Sequence, residues 1–196
     1  MNDTSEDIRI AVILGTTRPG NYTSKAVALV VDELQANGIA VDTFDPAEMP
    51  LLSPGAVGDN LGPERLREMV KSASGVILST PEYHGGISST IKLVIENLGF
   101  PSVLAGKPVA LLGVAAGRIG AIKSLEQLRS ICSHVGSIVL PGPVSVAGVR
   151  QVFDEDGRCL DGEAEKQIRS VATKMVDYVR QSVCPAQCLE VLVRAS

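Results

Sequence analysis

The segment IRIAVILGTTRPGNYTSK (residues 8–25) joins an apolar run to a polar loop and then to the start of a helical pattern. The run from Ile8 to Leu14 is apolar except for Arg9, which is typical of a strand covered on both faces of a sheet. After the loop, apolar residues recur three and four positions apart, as in a helix packed along one side. This segment therefore predicts the first unit of an α/β protein.

The rest of the chain repeats this alternation. Short apolar runs occur at 76–78, 109–114 and 138–140, whereas apolar residues alternate with others at 39–43, as expected for an edge strand. Helical stripes separate the runs and a further stripe follows the last. Five such units with right-handed crossovers predict one α/β domain, with a parallel sheet of five strands and helices on both faces.

Sequence patterns and composition together indicate the domain organisation and exclude several classes of function. We expect a disordered segment at residues 1–7, one domain over 8–182 and a C-terminal tail at 183–196. A net charge of −4 with scattered Lys and Arg argues against a nucleic-acid partner. No export signal or membrane-length apolar run is visible, so we expect a cytoplasmic protein. The four cysteines show neither a disulfide framework nor a metal-binding pattern.

Ligands of open parallel sheets bind at the carboxyl ends of the strands, which makes the loop Gly15–Lys25 the first candidate site. Its hydroxyl groups, the Arg18 guanidinium and the free amides of a helix start are the donors that a phosphate dianion requires. The alternative is an ordinary turn in which Thr23 or Ser24 caps the helix. Neither a Walker loop nor a Gly-x-Gly-x-x-Gly motif is present.

Two further loops follow the third and fourth strands. The segment Thr80–Gly86 offers backbone donors and glycines that would allow a flat conjugated ring to approach closely; a polar helix start is the alternative. The segment Gly113–Gly120 has small side chains, and Arg118 or an amide there would offset negative charge on such a ring; a flexible loop is the alternative. We find no catalytic nucleophile, carboxylate pair or metal site, and we expect His84 to bind a ligand or to lie exposed.

These motifs resemble the NAD(P)H-dependent FMN reductase family, a flavodoxin-like group that includes bacterial quinone, chromate and azo reductases. The resemblance spans Ile8–Met175 and rests on residues 15–20, on Thr80-Pro81-Glu82-Tyr83-His84, and on Ile91-Lys92 with Asn97. It implies a flavodoxin-like three-layer sandwich, in which the five parallel strands have the order 2-1-3-4-5, and an FMN-binding reductase domain over 8–182. The implied FMN-binding residues are Thr16, Arg18, Asn21, Tyr22, Thr23 and Ser24 around the phosphate, Pro81, Glu82, Tyr83, His84 and Gly85 around the isoalloxazine, and Ala116 and Gly117 beside the ring.

The resemblance also implies an activity. NADPH or NADH would give hydride to flavin N5, and electrons would then pass to a quinone, an azo compound, a metal oxyanion or free flavin, with no catalytic side chain required. It further implies a homodimer or homotetramer. This sequence has Thr16 where many relatives have Ser, and Asn21 where Ser is frequent. The alternative is a flavodoxin-type electron carrier or flavin-binding interaction module without nicotinamide turnover, which Arg18 and the Pro-Glu-Tyr-His segment argue against.

Overall fold

A parallel sheet forms the centre of the molecule in the computed structural model, which describes residues 8–58 and 60–195. Residues 1–7, where we expect disorder, lie outside the described residues. The strands are β1 (Arg9–Ile13), β2 (Ala40–Phe44), β3 (Gly75–Pro81), β4 (Pro108–Val114), β5 (Ile138–Val139) and β6 (Val144–Val146). The order β2-β1-β3-β4-β5, with every pair parallel, confirms the prediction, and β2 lies at one edge of the sheet.

The fifth position of the sheet is shared by two short strands. β5 pairs with the start of β4, at Pro108 and Val109, whereas β6 pairs with its end, from Leu112 to Val114. Pro141 and Pro143 lie between β5 and β6. Because proline has no amide N–H to donate, these residues interrupt the hydrogen-bond ladder. The sequence analysis finds the first of the two strands and misses the second.

Helices cover both faces of the sheet, which confirms the three-layer arrangement. One core packs β-strand residues such as Val12 and Ile77 against the helices on one side, and the other packs Ile13 and Leu78 against the opposite helices. After the last long helix the chain continues through one π-helical turn, Val179–Val183, into the stretch predicted as a tail. The helices are α1 (Tyr22–Ala36), α2 (Leu61–Ser72), α3 (Ser89–Asn97), α4 (Ile122–His134), α5 (Val149–Val152), α6 (Gly162–Tyr178) and α7 (Cys184–Ala195).

Cys132, Cys159 and Cys184 are free thiols. Cys132 is buried on α4, and burial raises the pKa of its thiol to about 12, so it stays protonated and unreactive at neutral pH. Cys159 and Cys184 are partly exposed. Over residues 8–58 and 60–195, no group of three or more candidate ligands is arranged to hold a metal ion. No helix in this part of the chain combines the length and the apolar character needed to cross a membrane.

Candidate functional site

Gly15 brings the loop after β1 into direct contact with β3. A Cβ atom at this position would lie 2.0 Å from the backbone carbonyl oxygen of Ser79, so only glycine fits without a backbone shift. The Gly15 carbonyl oxygen accepts a hydrogen bond from the Ser88 hydroxyl, and the Ser79 hydroxyl donates to the Ile13 carbonyl oxygen at 3.0 Å. The first loop is therefore fixed against its neighbour at the carboxyl edge of the sheet.

Asn21 begins helix α1 as its N-cap. Its Oδ1 accepts hydrogen bonds from the Ser24 amide at 2.7 Å and from the Ser24 hydroxyl at 3.0 Å, and its Nδ2 donates to the Arg18 carbonyl oxygen at 2.8 Å. The alternative prediction that Thr23 or Ser24 caps this helix is therefore wrong, because the capping residue is Asn21. The first turn contains no acidic side chain. The amides of Tyr22 and Thr23, at the positive end of α1, are therefore available to bind an anion.

Thr16 shapes this loop and connects it to the next one. Its side chain is buried, at 3% exposure, and its hydroxyl oxygen accepts a hydrogen bond from the Arg18 amide at 3.3 Å. The same oxygen lies 3.4 Å from the Tyr83 hydroxyl, in the loop after β3. Thr16 therefore contacts both the loop after β1 and the loop after β3 from a buried position.

The loop after β3 is a tight turn. The Tyr83 amide donates to the Gly86 carbonyl oxygen, and the Gly86 amide donates to the Tyr83 carbonyl oxygen, both at 3.0 Å. The two central residues, His84 and Gly85, have φ angles of 52° and 75°. Left-handed backbone at both positions defines a type I′ turn, which suits glycine and strains histidine. The turn presents Tyr83, 39% exposed, at the surface of the site.

Glu82 connects this turn to the start of α4. Its amide donates to the Val114 carbonyl oxygen at 2.9 Å, which places it beside the end of β4. Its Oε2 accepts a hydrogen bond from the Ser124 amide at 3.1 Å, in the first turn of α4. Helix α4 has no side-chain cap from its own N-cap residue, Ala121. Glu82 therefore supplies that cap from a distant part of the sequence.

Replacing Glu82 with alanine is expected to lower the free energy of unfolding by about 1 kcal/mol, as for other lost helix caps. Glu82→Gln should lose less, because its amide oxygen can still accept from the Ser124 amide. Chemical denaturation measures the difference, and Glu126→Ala, on an exposed position of the same helix, is the matched control. An equal loss in Glu126→Ala would contradict the capping role.

The three loops enclose a cavity of about 520 Å³, within the range of small-molecule sites. Eight of the predicted site residues line it: Arg18, Asn21, Tyr22, Thr23, Pro81, Glu82, Tyr83 and Ala116. The other five predicted residues lie outside the wall; Thr16 and Ser24 support the first loop, His84 and Gly85 form the turn, and the Gly117 carbonyl oxygen accepts from the amides of Gly120 and Gly148.

Residues that the sequence analysis does not assign to the site complete the wall. Val149 and Arg150 belong to α5, which follows β6. The sequence signal for β6 is the alternation Val144-Ser145-Val146, which is too short to identify a strand by itself. Recognised as a strand, it would have placed the residues after Val146 at the carboxyl edge of the sheet. Pro19, Gly20 and Val114 also line the cavity.

The donors of this cavity fit a phosphate group joined to a planar ring. Arg18 and the start of α1 form a cationic end, and neither Arg18 nor Arg150 forms an ion pair with a carboxylate in the described part of the chain. Pro81 and Ala116 line the rest of the wall with small or flat surfaces. A monoester phosphate at one end and a ring at the other match this distribution of charge.

A second, larger cavity of about 850 Å³ lies apart from the one just described. Residues of α2, α3 and α4 line it together with the loop before α2, among them Arg67, Ile95 and His134. None of its lining residues comes from the loops after β1, β3 or β4. It is therefore a separate cavity, which shares no lining residue with the one between the loops after β1, β3 and β4.

Comparisons with known proteins agree with this geometry. The model of a family described as NADPH-dependent FMN reductase matches residues 8–151. An NAD(P)H-dependent FMN reductase of Pseudomonas aeruginosa is 30% identical over 90% of this chain and 98% of its own length. An NADPH azoreductase of a Bacillus species is 30% identical over 88% of this chain and 93% of its own.

A likeness in structure supports the fold. A flavoenzyme NAD(P)H:(acceptor) oxidoreductase from Paracoccus denitrificans superposes with a TM-score of 0.74 at 20% sequence identity, over 89% of this chain and 98% of the other. Since the family model covers most of the chain and the first relative spans nearly all of it, the chain belongs to the NADPH-dependent FMN reductase family.

Proposed function

We propose that this protein is an FMN-containing oxidoreductase that takes hydride from NADPH or NADH and passes electrons to a small-molecule acceptor. The observation that carries this proposal is a single cavity that extends from Arg18 and the start of α1 to the Pro81–Tyr83 segment and Ala116. Family membership supports the same activity. We place the reductase domain within residues 8–182.

The residues at the cationic end would hold the FMN phosphate. Arg18 supplies a guanidinium able to donate two parallel hydrogen bonds, and Tyr22 and Thr23 at the start of α1 line the same cavity, where their amides would donate to the phosphate. Asn21 keeps these amides in place, because it caps the helix and also binds the Arg18 carbonyl oxygen. Thr16 holds the Arg18 amide from behind.

The other end of the cavity would orient the ring. Pro81 is buried, and the paired hydrogen bonds between Tyr83 and Gly86 keep the turn rigid. Bound FMN would supply the redox chemistry, accepting hydride and passing electrons to the acceptor. The protein contributes position and charge, so no side chain has to transfer a proton.

The exposure of the site favours small acceptors. Tyr83, His84, Ala116 and Gly117 all lie at the surface, so a quinone, an azo compound, a metal oxyanion or free flavin would reach the ring without displacing the core. The azoreductase of the Bacillus species supports this class of acceptor. One open face would serve the reductant and the acceptor in turn.

The surroundings of the site favour a homodimer or homotetramer. Ile119 and Ile122, which follow the third loop, are 78% and 48% exposed, and their apolar surface would be covered by a second copy of the chain. We also place the protein in the cytoplasm, where NADPH and NADH are available.

The purified protein is expected to be yellow, and its flavin absorbance should bleach when NADPH or NADH is added without oxygen. Air or an acceptor such as a quinone should restore the colour. The measurement is an anaerobic titration followed by absorbance spectroscopy. A colourless protein without affinity for FMN would contradict the proposal, and a yellow protein that neither nucleotide reduces would indicate an electron carrier instead.

A further inference from the structure

A segment that we call the strap, Gly148–Leu160, crosses one side of the cavity. It contains α5 and a turn, and backbone pairing between Phe153 and Cys159 closes the turn. On one side the Gly148 amide donates to the Gly117 carbonyl oxygen at 3.0 Å, and the Val149 amide donates to the Ala115 carbonyl oxygen at 3.1 Å. The strap is thus attached to the loop after β4.

The other side of the strap is attached to α1. Lys25 donates from Nζ to the carbonyl oxygens of Asp154 at 2.5 Å and Glu155 at 3.0 Å. The same ammonium lies 5.1 Å from the centre of the Tyr22 ring, which is within the range of a cation–π contact. Since Lys25 and Tyr22 belong to the first turns of α1, the strap is fixed relative to the cationic end of the cavity.

Buried side chains complete this attachment. Val149, Val152 and Phe153 are at most 6% exposed, and all three belong to the core on this side of the sheet. Arg150 lies between these anchors, with an exposed side chain that lines the cavity. Its backbone is therefore held in place by the core and by both attachments of the strap.

The cavity wall contains a second guanidinium that the FMN phosphate does not require. Arg18 and the start of α1 already provide a cation and free amides for one phosphate dianion. Arg150 forms no ion pair with a carboxylate within the described ranges. A second unpaired cation on a rigid support in the same cavity favours a second anionic group.

From these contacts we infer that Arg150 binds a phosphate group of the nicotinamide dinucleotide and is a binding residue for the reductant. The inference rests on the proposed function, because NADPH and NADH are the second anionic ligands of that reaction. Both carry a pyrophosphate, and NADPH alone carries a 2′-phosphate. If the 2′-phosphate is the group bound, Arg150 also selects NADPH over NADH.

The test compares Arg150→Ala and Arg150→Lys with Arg158→Ala in the FMN-loaded protein. Arg158 is the matched control, because it belongs to the same strap, carries the same charge and does not line the cavity. Calorimetry measures NADP⁺ and NAD⁺ binding to the oxidised protein, without turnover. Arg150→Ala should weaken NADP⁺ binding about tenfold, as expected for one lost hydrogen bond to a charged group. Arg150→Lys should retain part of the affinity, since an ammonium keeps the charge but not the paired donors.

Two further measurements separate the alternatives. Steady-state kinetics should show a higher KM in Arg150→Ala with unchanged kcat, for NADPH alone if the 2′-phosphate is bound and for both nucleotides if the pyrophosphate is bound. FMN affinity of the apoprotein should be unchanged. Equal loss in Arg158→Ala, no change in nucleotide binding, or a weakened FMN affinity in Arg150→Ala would overturn the inference. Failure of the proposed function would appear separately, as a wild-type flavin that neither nucleotide reduces.

Discussion

Replacing Gly15 with alanine is expected to lower the free energy of unfolding by about 3 kcal/mol, at the upper end of the usual cost of overpacking, and to weaken FMN binding strongly. The added Cβ would lie 2.0 Å from the Ser79 carbonyl oxygen and 3.0 Å from the Ile91 Cβ. The closest atom is backbone in the central strand β3, so no side-chain rotation relieves the contact. The loop after β1 has to move away, and the Gly15 carbonyl oxygen then loses the Ser88 hydroxyl.

Chemical denaturation of the apoprotein measures the stability loss, and fluorescence titration with FMN measures the affinity. Gly162→Ala is the matched control, because nothing lies within 4 Å of a Cβ at that position and its φ is not left-handed. This control should leave both quantities unchanged or slightly raise stability. If Gly15→Ala behaves like Gly162→Ala, the close contact with β3 is not what fixes the position of the loop after β1.

The alternation of strands and helices could be predicted because each inner strand is a short apolar run and each helix has one apolar face, whereas the strand order came from the resemblance to the flavodoxin-like family. β3 and β4 are buried along their whole length, and β2 is not, which is why its alternating pattern identified the edge. The prediction missed β6 because the Val144–Val146 segment is short and follows two prolines. Secondary-structure patterns of three residues are too brief to separate a strand from a loop.

The loops that line the cavity could be predicted from the sequence, but the contacts that hold them in place could not. Eight predicted residues line it because the loops after β1, β3 and β4 meet at one edge of a parallel sheet. Glu82 bonds to the Ser124 amide, and Lys25 bonds to the strap; both contacts join positions far apart in the sequence. Contacts of this kind form only in the packed tertiary structure, so they cannot be predicted from the spacing of residue types along the chain.

Arg18→Ala is expected to raise the dissociation constant of FMN by about 10- to 150-fold, which corresponds to the roughly 1.5–3 kcal/mol of a hydrogen bond to a charged group. The Arg18 side chain is exposed, lines the cavity and forms no ion pair with a carboxylate within residues 8–58 and 60–195. The unfolding free energy of the apoprotein should therefore stay nearly unchanged. FMN titration of the apoprotein gives the affinity, and chemical denaturation gives the stability.

Arg129→Ala, which removes the same charge from an exposed position on α4, is the matched control and should bind FMN like the wild type. Arg18→Lys should fall between the two, because an ammonium retains the attraction but not the paired hydrogen bonds. Higher salt should reduce the difference between Arg18→Ala and the wild type, since ions screen an exposed pair. Equal FMN affinity in Arg18→Ala and Arg129→Ala would mean that the amides at the start of α1 hold the phosphate without the guanidinium, and the cationic end of the cavity would then depend on the helix alone.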